Sequence, residues 1–489
     1  MKLNQYFQLA TGILALGTGL TMAGSELPEA EQYGWTPPLT MKIYAPPIPI
    51  FEVHAYGAKG NGVVNDTKAI QKAIDNCAGT GGSVVLRNGR FVAANLHLEG
   101  KMTFYIAGNA TLLGSTNPAD YPVVVPYTEA DSIGIKWNQR SLLYADKADG
   151  LVLDGGGVID GRGADLNMTG PECNRPSLLR IYRSHNVTVR NLSLRHPRMW
   201  TEVYEQCVGL TIENLDVFSP PICRNLDGLD VCDCHDVVIR HCHINSEDDS
   251  ICLKSHSMFG LKNVLVQGNT IVNQRANGIK IGTATIGPIE NIRILNNTVE
   301  KAYLGGLCIE SVDGSVIHDV LVSNLTLRAT CQPIFITLAD RNDWRLPLID
   351  HKAGPGEIRD VVIEDVRILG THNRTKSSMT LTGLPGAPLR NIALRHIAAE
   401  MPGGVDKMPP SPKEMTDGYP QSNRLGIVPG YAFYVRHAKN IVFDHVTTGY
   451  LKPDVRSWLV VEDATVTTNN CSDERLLRHG VLGMSTPAN

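Results

Sequence analysis

A short pattern recurs along the chain and constrains its fold more than any other feature: a polar residue, an apolar-rich stretch, a polar pair and another apolar position. It reads NVTVRNLSL from Asn186, GLTIENLDV from Gly209, DVVIRHCHI from Asp236 and NVLVQGNTI from Asn263. It continues as NIRILNNTV from Asn291, DVLVSNLTL from Asp319, DVVIEDVRI from Asp360, NIALRHIAA from Asn391 and NIVFDHVTT from Asn440. From Gly209 to Asp319 successive copies start 27, 27, 28 and 28 residues apart. Each copy alternates apolar and polar with period two, the mark of a half-buried strand between turn residues. One copy cannot bury its apolar face alone, but stacked copies can, and a repeat of this length signals a solenoid. The β-branched content and lack of helical spacing select an all-β, right-handed parallel β-helix over a helical or leucine-rich array.

A second row of strands precedes the first: GLDVC at Gly228, SICLK at Ser250, GIKIG at Gly278, GLCIE at Gly306 and PIFIT at Pro333. Coils of a β-helix stack about 4.8 Å apart, so equivalent positions form ladders. Asp227, Asp249, Asn277 and Gly305 are then rungs of one ladder, and Cys232, Lys254, Gly282, Glu310 and Thr337 of another. A polar cluster on an otherwise apolar solenoid reads as a binding groove. Ahead of the coils, Thr67 is positioned to cap a helix carrying Ala69, Ile70, Ala73 and Ile74 on one face, which would close the open solenoid end. Residues 402–430, rich in Pro, Gly and polar residues, read as a long surface loop of the kind that tends to serve function. The expected layout is a leader at 1–25 and one domain over 26–489, with an N-terminal cap at about 50–115 and coils at about 140–460.

The leader is expected because Lys2 precedes an apolar run from Phe7 to Met22 and the small residues Ala23-Gly24-Ser25. It predicts secretion, or delivery to a periplasm. No later segment is apolar and long enough to span a bilayer. With 45 Lys and Arg against 49 Asp and Glu, no basic excess points to nucleic acid. Of the 11 cysteines, Cys232, Cys234, Cys242, Cys252 and Cys308 fall in strand alternations, where cysteine serves as a small buried hydrophobe. Neither a dense disulfide framework nor a metal or other cofactor is expected, and the protein is read as a monomer.

NLDGLD brings Asn225, Asp227 and Asp230 together, and SEDDS places Glu247, Asp248 and Asp249 one coil later. Glycoside hydrolysis needs one protonated carboxyl for the leaving oxygen and an ionised one to activate water. Crowded carboxylates supply both states, because they cannot all ionise and one is pushed up. On residues alone, a calcium site or a solvated acidic turn explains the cluster equally well.

NLDG at 225–228, EDDSICLKS at 247–255 and NGIKIGT at 277–283 resemble the signature of family 28 glycoside hydrolases, the polygalacturonase family. The opening FEVHAYGAKGNG, the stretch LHLEGKMTFYIAGNATLLGS and the tail YAFYVRHAKNIVFDHV are similar to that family as well, so the resemblance spans about residues 50–460. It implies an inverting hydrolase on a right-handed β-helix, with Asp248 as general acid and Asp227 and Asp249 holding and activating the water. Its implied partner is a pectic poly- or oligosaccharide. The family's Gly-His-Gly is replaced by Ala276-Asn277-Gly278, and its Arg-Ile-Lys by Cys308-Ile309-Glu310. A fixed cation is the natural partner of a galacturonate carboxylate, whereas Glu310 would repel one and accept bonds from hydroxyls. The departure predicts a neutral sugar at that subsite. Asn225, Asn277, Lys254, Lys280 and Glu310 are expected to contact substrate, with Trp200 as a stacking platform or a wall residue. A polygalacturonase proper, a polysaccharide lyase and a catalytically silent carbohydrate-binding β-helix remain as alternatives that product analysis separates.

Overall fold

The computed structural model describes residues 44–476, apart from 127, 129–130, 135–138, 167–174, 342, 344–345, 347–350, 352–353 and 371–375. The expected leader lies outside the described residues.

The chain winds as a parallel β-helix, each strand pairing with the one a coil later. In the sheet that carries the carboxylates, Glu202–Glu205, Leu229–Cys232, Ile251–Ser255, Ile279–Thr285, the end of Ile289–Ser311 and Thr330–Leu338 follow one another, all parallel. The register stacks Leu229, Ile251, Ile279, Leu307 and Ile334 in one inward ladder and Val231, Leu253, Ile281, Ile309 and Ile336 in another. All ten belong to one core that runs from Val53 to Tyr450. Each fully buried aliphatic side chain of this kind contributes about 1.5–3 kcal/mol relative to exposure, which is what one coil lacks and a stack supplies.

The polar residue that opens each repeat has a backbone reason. Asn186, Asp236, Asn263, Asn291, Asp319, Asp360, Asn391 and Asn440 all sit at left-handed φ between 52° and 57°. Asn and Asp tolerate that region because their short side chains bond locally. These corners also bond one another across coils: Asn263 donates to Asp236 at 2.8 Å and Asn291 to Asn263 at 2.7 Å. A second left-handed corner follows five residues on, at Asn191, Asn214, His241, Asn296 and Asn324. The repeat thus encodes two strands and two corners.

The helix runs over Thr67–Cys77, burying Ile70, Ala73, Ile74 and Cys77 in the main core, with Ala69 partly buried against it. Its N-cap position is Asp66 rather than Thr67. Asp66 turns its carboxylate to the Lys59 and Gly60 amides at 2.7 and 3.0 Å, while the Thr67 hydroxyl accepts from the Ala94 amide. The five strand cysteines named above are buried free thiols. No helix among the described residues is long and apolar enough to cross a membrane.

Candidate functional site

The ladder expected at the groove is present. Leu229, Ile251 and Ile279 align as consecutive rungs, and the Gly228, Ser250 and Gly278 amides donate to the carbonyls of Asp249, Asn277 and Gly305, each at 2.9 Å. Because Glu202 pairs with Leu229, Trp200 stands one rung before Asp227. The side chains outside this sheet, Asp230, Cys252, Lys280 and Cys308, form the adjoining rungs of the groove wall.

Two buried lysines divide the carboxylates. The Lys254 ammonium binds Asp230 and lies 3.6 Å from Asp227, with the Trp200 ring centroid 3.9 Å away. Lys280 is 3.2 Å from Asp249 and 3.6 Å from Glu310. Asn277 bonds Asp249 Oδ1 through both its side-chain nitrogen, at 2.6 Å, and its backbone amide, at 3.1 Å. Its own oxygen accepts from the Gly305 amide at 2.8 Å. Asp248, half-buried, receives Arg275 at 2.7 Å, the Asn225 amide at 3.3 Å and the Asp249 amide at 3.0 Å. Arg275 also binds Glu247, and the Asn225 side chain accepts from Arg175 at 3.2 Å.

These surroundings drive the carboxyls apart. Burial, reinforced by the Asp249 charge, raises Asp248 above the ordinary aspartate value although Arg275 opposes the shift. Burial would raise Asp249 too, but Lys280, Lys254 and the Asn277 bond outweigh it and leave it low. Asp227 is raised well above the usual range by burial and by the Asp230 and Asp248 charges, and one of its oxygens is buried without a partner. Neighbouring carboxyls are therefore shifted in opposite directions, Asp248 up and Asp249 down, as a division into acid and base requires.

A small pocket of about 30 Å³ opens here, lined by Asp248, Asp249, Asn277, Lys280 and Glu310, by Ala276 and Leu304, and by Tyr419, Pro420 and Gln421. The last three come from the 402–430 segment, whose interior is a loop with a short 3-10 turn at Ser422–Leu425. The Tyr419 hydroxyl accepts from Thr283 at 2.6 Å and meets Lys280 at 3.3 Å.

The structure changes the picture of the residues expected to contact sugar. Trp200 is buried and one ring face is covered by Lys254, so the open stacking platform is not there. Lys254, Lys280 and Asn277 are buried with their polar atoms on carboxylates, because an unpaired charge at such depth is costly. Lys280, not Lys254, is the partner of Glu310, which is 1% exposed and pushed up to about 7, chiefly by burial. The full repulsion expected from an open glutamate is therefore reduced. Sequence reasoning left Asp230 without a role and missed Tyr419. Asp230 lay in the same NLDGLD motif, whereas nothing in spacing tied the loop tyrosine to a sheet some 140 residues earlier. Asp227, Asp230 and Cys252 offer three ligand atoms within 4.8 Å of one another, and the Lys254 ammonium supplies the positive charge beside both aspartates.

The profile of Glycosyl hydrolases family 28 matches residues 99–411, which contain both aspartate motifs and most of the coils. The chain belongs to glycosyl hydrolases family 28. A "Probable polygalacturonase" of Vitis vinifera is 22% identical to this family 28 chain over 381 residues, covering 72% of it and 75% of the relative. Among solved structures, the hyperthermoactive exopolygalacturonase of Thermotoga maritima superposes with a TM-score of 0.60 at 20% identity, covering 73% of this chain and 89% of its own. The family 28 exopolygalacturonase of Yersinia enterocolitica gives 0.63 at 17% identity, covering 88% and 78%. At such identities the likeness is one of fold, and family membership makes this protein a glycosidase.

Proposed function

We propose that this family 28 enzyme hydrolyses a pectic poly- or oligosaccharide with inversion at the anomeric carbon. Asp248 donates a proton to the leaving oxygen, while Asp227 and Asp249 hold the attacking water and Asp249, the one shifted toward its ionised form, takes its proton. The observation that carries the reading is the opposed shift of adjacent residues: Asp248 is held toward its protonated form and Asp249 toward its ionised form. One carboxyl in each state is what single-step glycoside hydrolysis requires. Lys280 and Asn277 keep Asp249 charged, and Lys254 spans Asp227 and Asp230. A lyase needs a free base to take a carbon-bound proton. Arg275, Lys254 and Lys280 instead face carboxylates, which favours hydrolysis. The Vitis vinifera, Thermotoga maritima and Yersinia enterocolitica relatives, all named for polygalacturonase activity, support a pectic substrate.

The pocket takes a neutral sugar beside Glu310. Its lining carries three carboxyls, Asp248, Asp249 and Glu310, and one ammonium, Lys280, already paired to two of them. A substrate carboxylate there finds no uncommitted cation among these groups. Galacturonate fits such a lining poorly, and a pectic side-chain sugar fits it better. The protein acts after export, directed by its first 25 residues, and Thr67–Cys77 closes the solenoid end.

Digestion of polygalacturonate and of side-chain-bearing pectic oligosaccharides, followed by NMR of the first product anomer, tests this. The expected result is a reducing sugar of inverted configuration, released faster from substrates with neutral residues. Unsaturated product or retained configuration overturns the mechanism, and faster cleavage of plain polygalacturonate overturns the neutral-sugar assignment.

A further inference from the structure

Tyr419 combines features that simple packing does not need. Its hydroxyl is fixed inside the carboxylate pocket by Thr283 at 2.6 Å and Lys280 at 3.3 Å, yet 48% of the residue remains exposed. Part of the ring faces the Lys280 ammonium, 5.2 Å from the centroid. The residue lines the pocket together with the apolar side chains of Ala276, Leu304 and Pro420 and with Asp248 and Asp249.

The segment that carries it is anchored on several sides. Asp417 bridges to Asp340, and the Asp340 amide donates to the Thr416 carbonyl at 3.3 Å. Arg424 donates to the carbonyls of Asp417, at 2.5 Å, and Tyr419, at 3.0 Å. Met415, Leu425 and Val428 are buried against Cys308, Phe335 and Tyr434 of the solenoid. A ring held at both its hydroxyl and its backbone is preorganised, and little freedom is lost when a ligand settles on it.

We propose that Tyr419 is the substrate-contacting specificity residue of this pocket, its ring stacking on the C–H face of a neutral pyranose. The inference rests on the hydrolase reading above and deepens it. A pyranose presents an apolar C–H face that an aromatic ring covers and hydroxyls that Asp249 can accept from. The ring takes the platform role that buried Trp200 does not offer. Lys280 and Thr283 serve it by fixing the phenol.

Initial rates on neutral-residue pectic oligosaccharides and on oligogalacturonates, measured for wild type, Tyr419→Phe, Tyr419→Leu and Tyr419→Ala with thermal unfolding alongside, test the proposal. Phe keeps the ring but gives up the anchor to Thr283 and Lys280, and is expected to raise KM by less than Leu or Ala do. Leu keeps bulk without a ring, and both it and Ala are expected to raise KM about five- to tenfold on the neutral-residue substrate, the loss an aromatic contact supports, with a smaller change in kcat. A Leu variant with native unfolding temperature and unchanged KM overturns the assignment while leaving the hydrolase intact. A Phe variant as impaired as Ala shows that only the hydroxyl matters and overturns it too. If wild type cleaves neither substrate class, the hydrolase reading falls and this inference falls with it.

Discussion

At the scale of single residues, the surroundings shift two neighbouring aspartates in opposite directions, and substitutions should reveal which neighbour sets which. Asp248→Asn removes the proposed proton donor but keeps a polar side chain of the same shape. It should lower kcat by roughly 10²–10⁴-fold while leaving the unfolding temperature near wild type. Near-native turnover on a pectic oligosaccharide would falsify the role of Asp248. Arg275 separates the acid from its surroundings more subtly. Its guanidinium, 2.7 Å from Asp248, favours the ionised carboxylate and so opposes the upward shift caused by burial and Asp249. The proposed mechanism requires Asp248 protonated, so the rate should fall as pH rises through its pKa. Arg275→Gln removes a charge that lowers that pKa, and the alkaline limb of kcat/KM should move to higher pH. The acid limb, governed by Asp249 with Lys280 and Lys254, should stay in place. An alkaline limb that stays put or moves down would separate Asp248 from that ionisation.

At the scale of strands and corners, the solenoid is held by apolar ladders and by a short buried ladder of asparagines. Asn297 Oδ1 accepts from both the backbone amide and the side chain of Asn269, at 2.9 and 3.0 Å, and its own nitrogen donates to the Val266 and Leu295 carbonyls. Asn269 in turn accepts from the Cys242 amide at 2.9 Å. Both asparagines are 1% exposed, so no solvent replaces a lost partner. One coil later Leu325 occupies the equivalent rung, which marks the end of the polar ladder. Asn297→Ala orphans several buried groups and should cost at least about 1–3 kcal/mol in a urea titration, against a few tenths for an exposed polar position. A midpoint indistinguishable from wild type would mean that the coil relaxes to repair those bonds.

At the scale of the whole molecule, a stacked sheet has consequences for stability against pH. The sheet that carries the site also buries Glu202, fully covered, with Tyr204 donating to it and one oxygen unpaired. Burial pushes it up to about 8, with Tyr204 pulling down and Asp230 adding to the rise. Glutamate in the unfolded chain titrates at its ordinary value of 4.5, so between 4.5 and about 8 the folded state holds a proton that the unfolded state has lost. Stability therefore falls as pH rises through that window. Asp233 and Glu310, also raised by burial, act in the same direction. The unfolding temperature should decline from pH 5 to pH 8, and Glu202→Gln, which keeps the acceptor for Tyr204, should flatten the decline. An equally steep fall in the variant would show that Glu202 is not a source of it.

The sequence by itself determined the solenoid, because its information is periodic and local. Nine copies of one strand pattern, each opened by a residue suited to a left-handed corner, leave a chain few ways to bury its apolar face. The same periodicity places Asp227, Asp249 and Asn277 on one ladder, since coil spacing follows from counting residues. What counting does not give is where a side chain ends. Leu253 pairs with Ile281, the rung just before Lys254 and its expected mate Gly282, yet the Lys254 ammonium turns to Asp230 and Trp200, while Lys280 takes Glu310. Those choices depend on burial and on the sum of nearby charges, which only the assembled coils define. Tyr419 shows the limit most plainly. It sits in a segment without periodicity, and it reaches Lys280 across 139 residues because that segment docks on Asp340 and on the hydrophobic cluster around Phe335. Pairings between distant segments rest on complementary surfaces that do not exist until both have folded, so tertiary structure alone decided them.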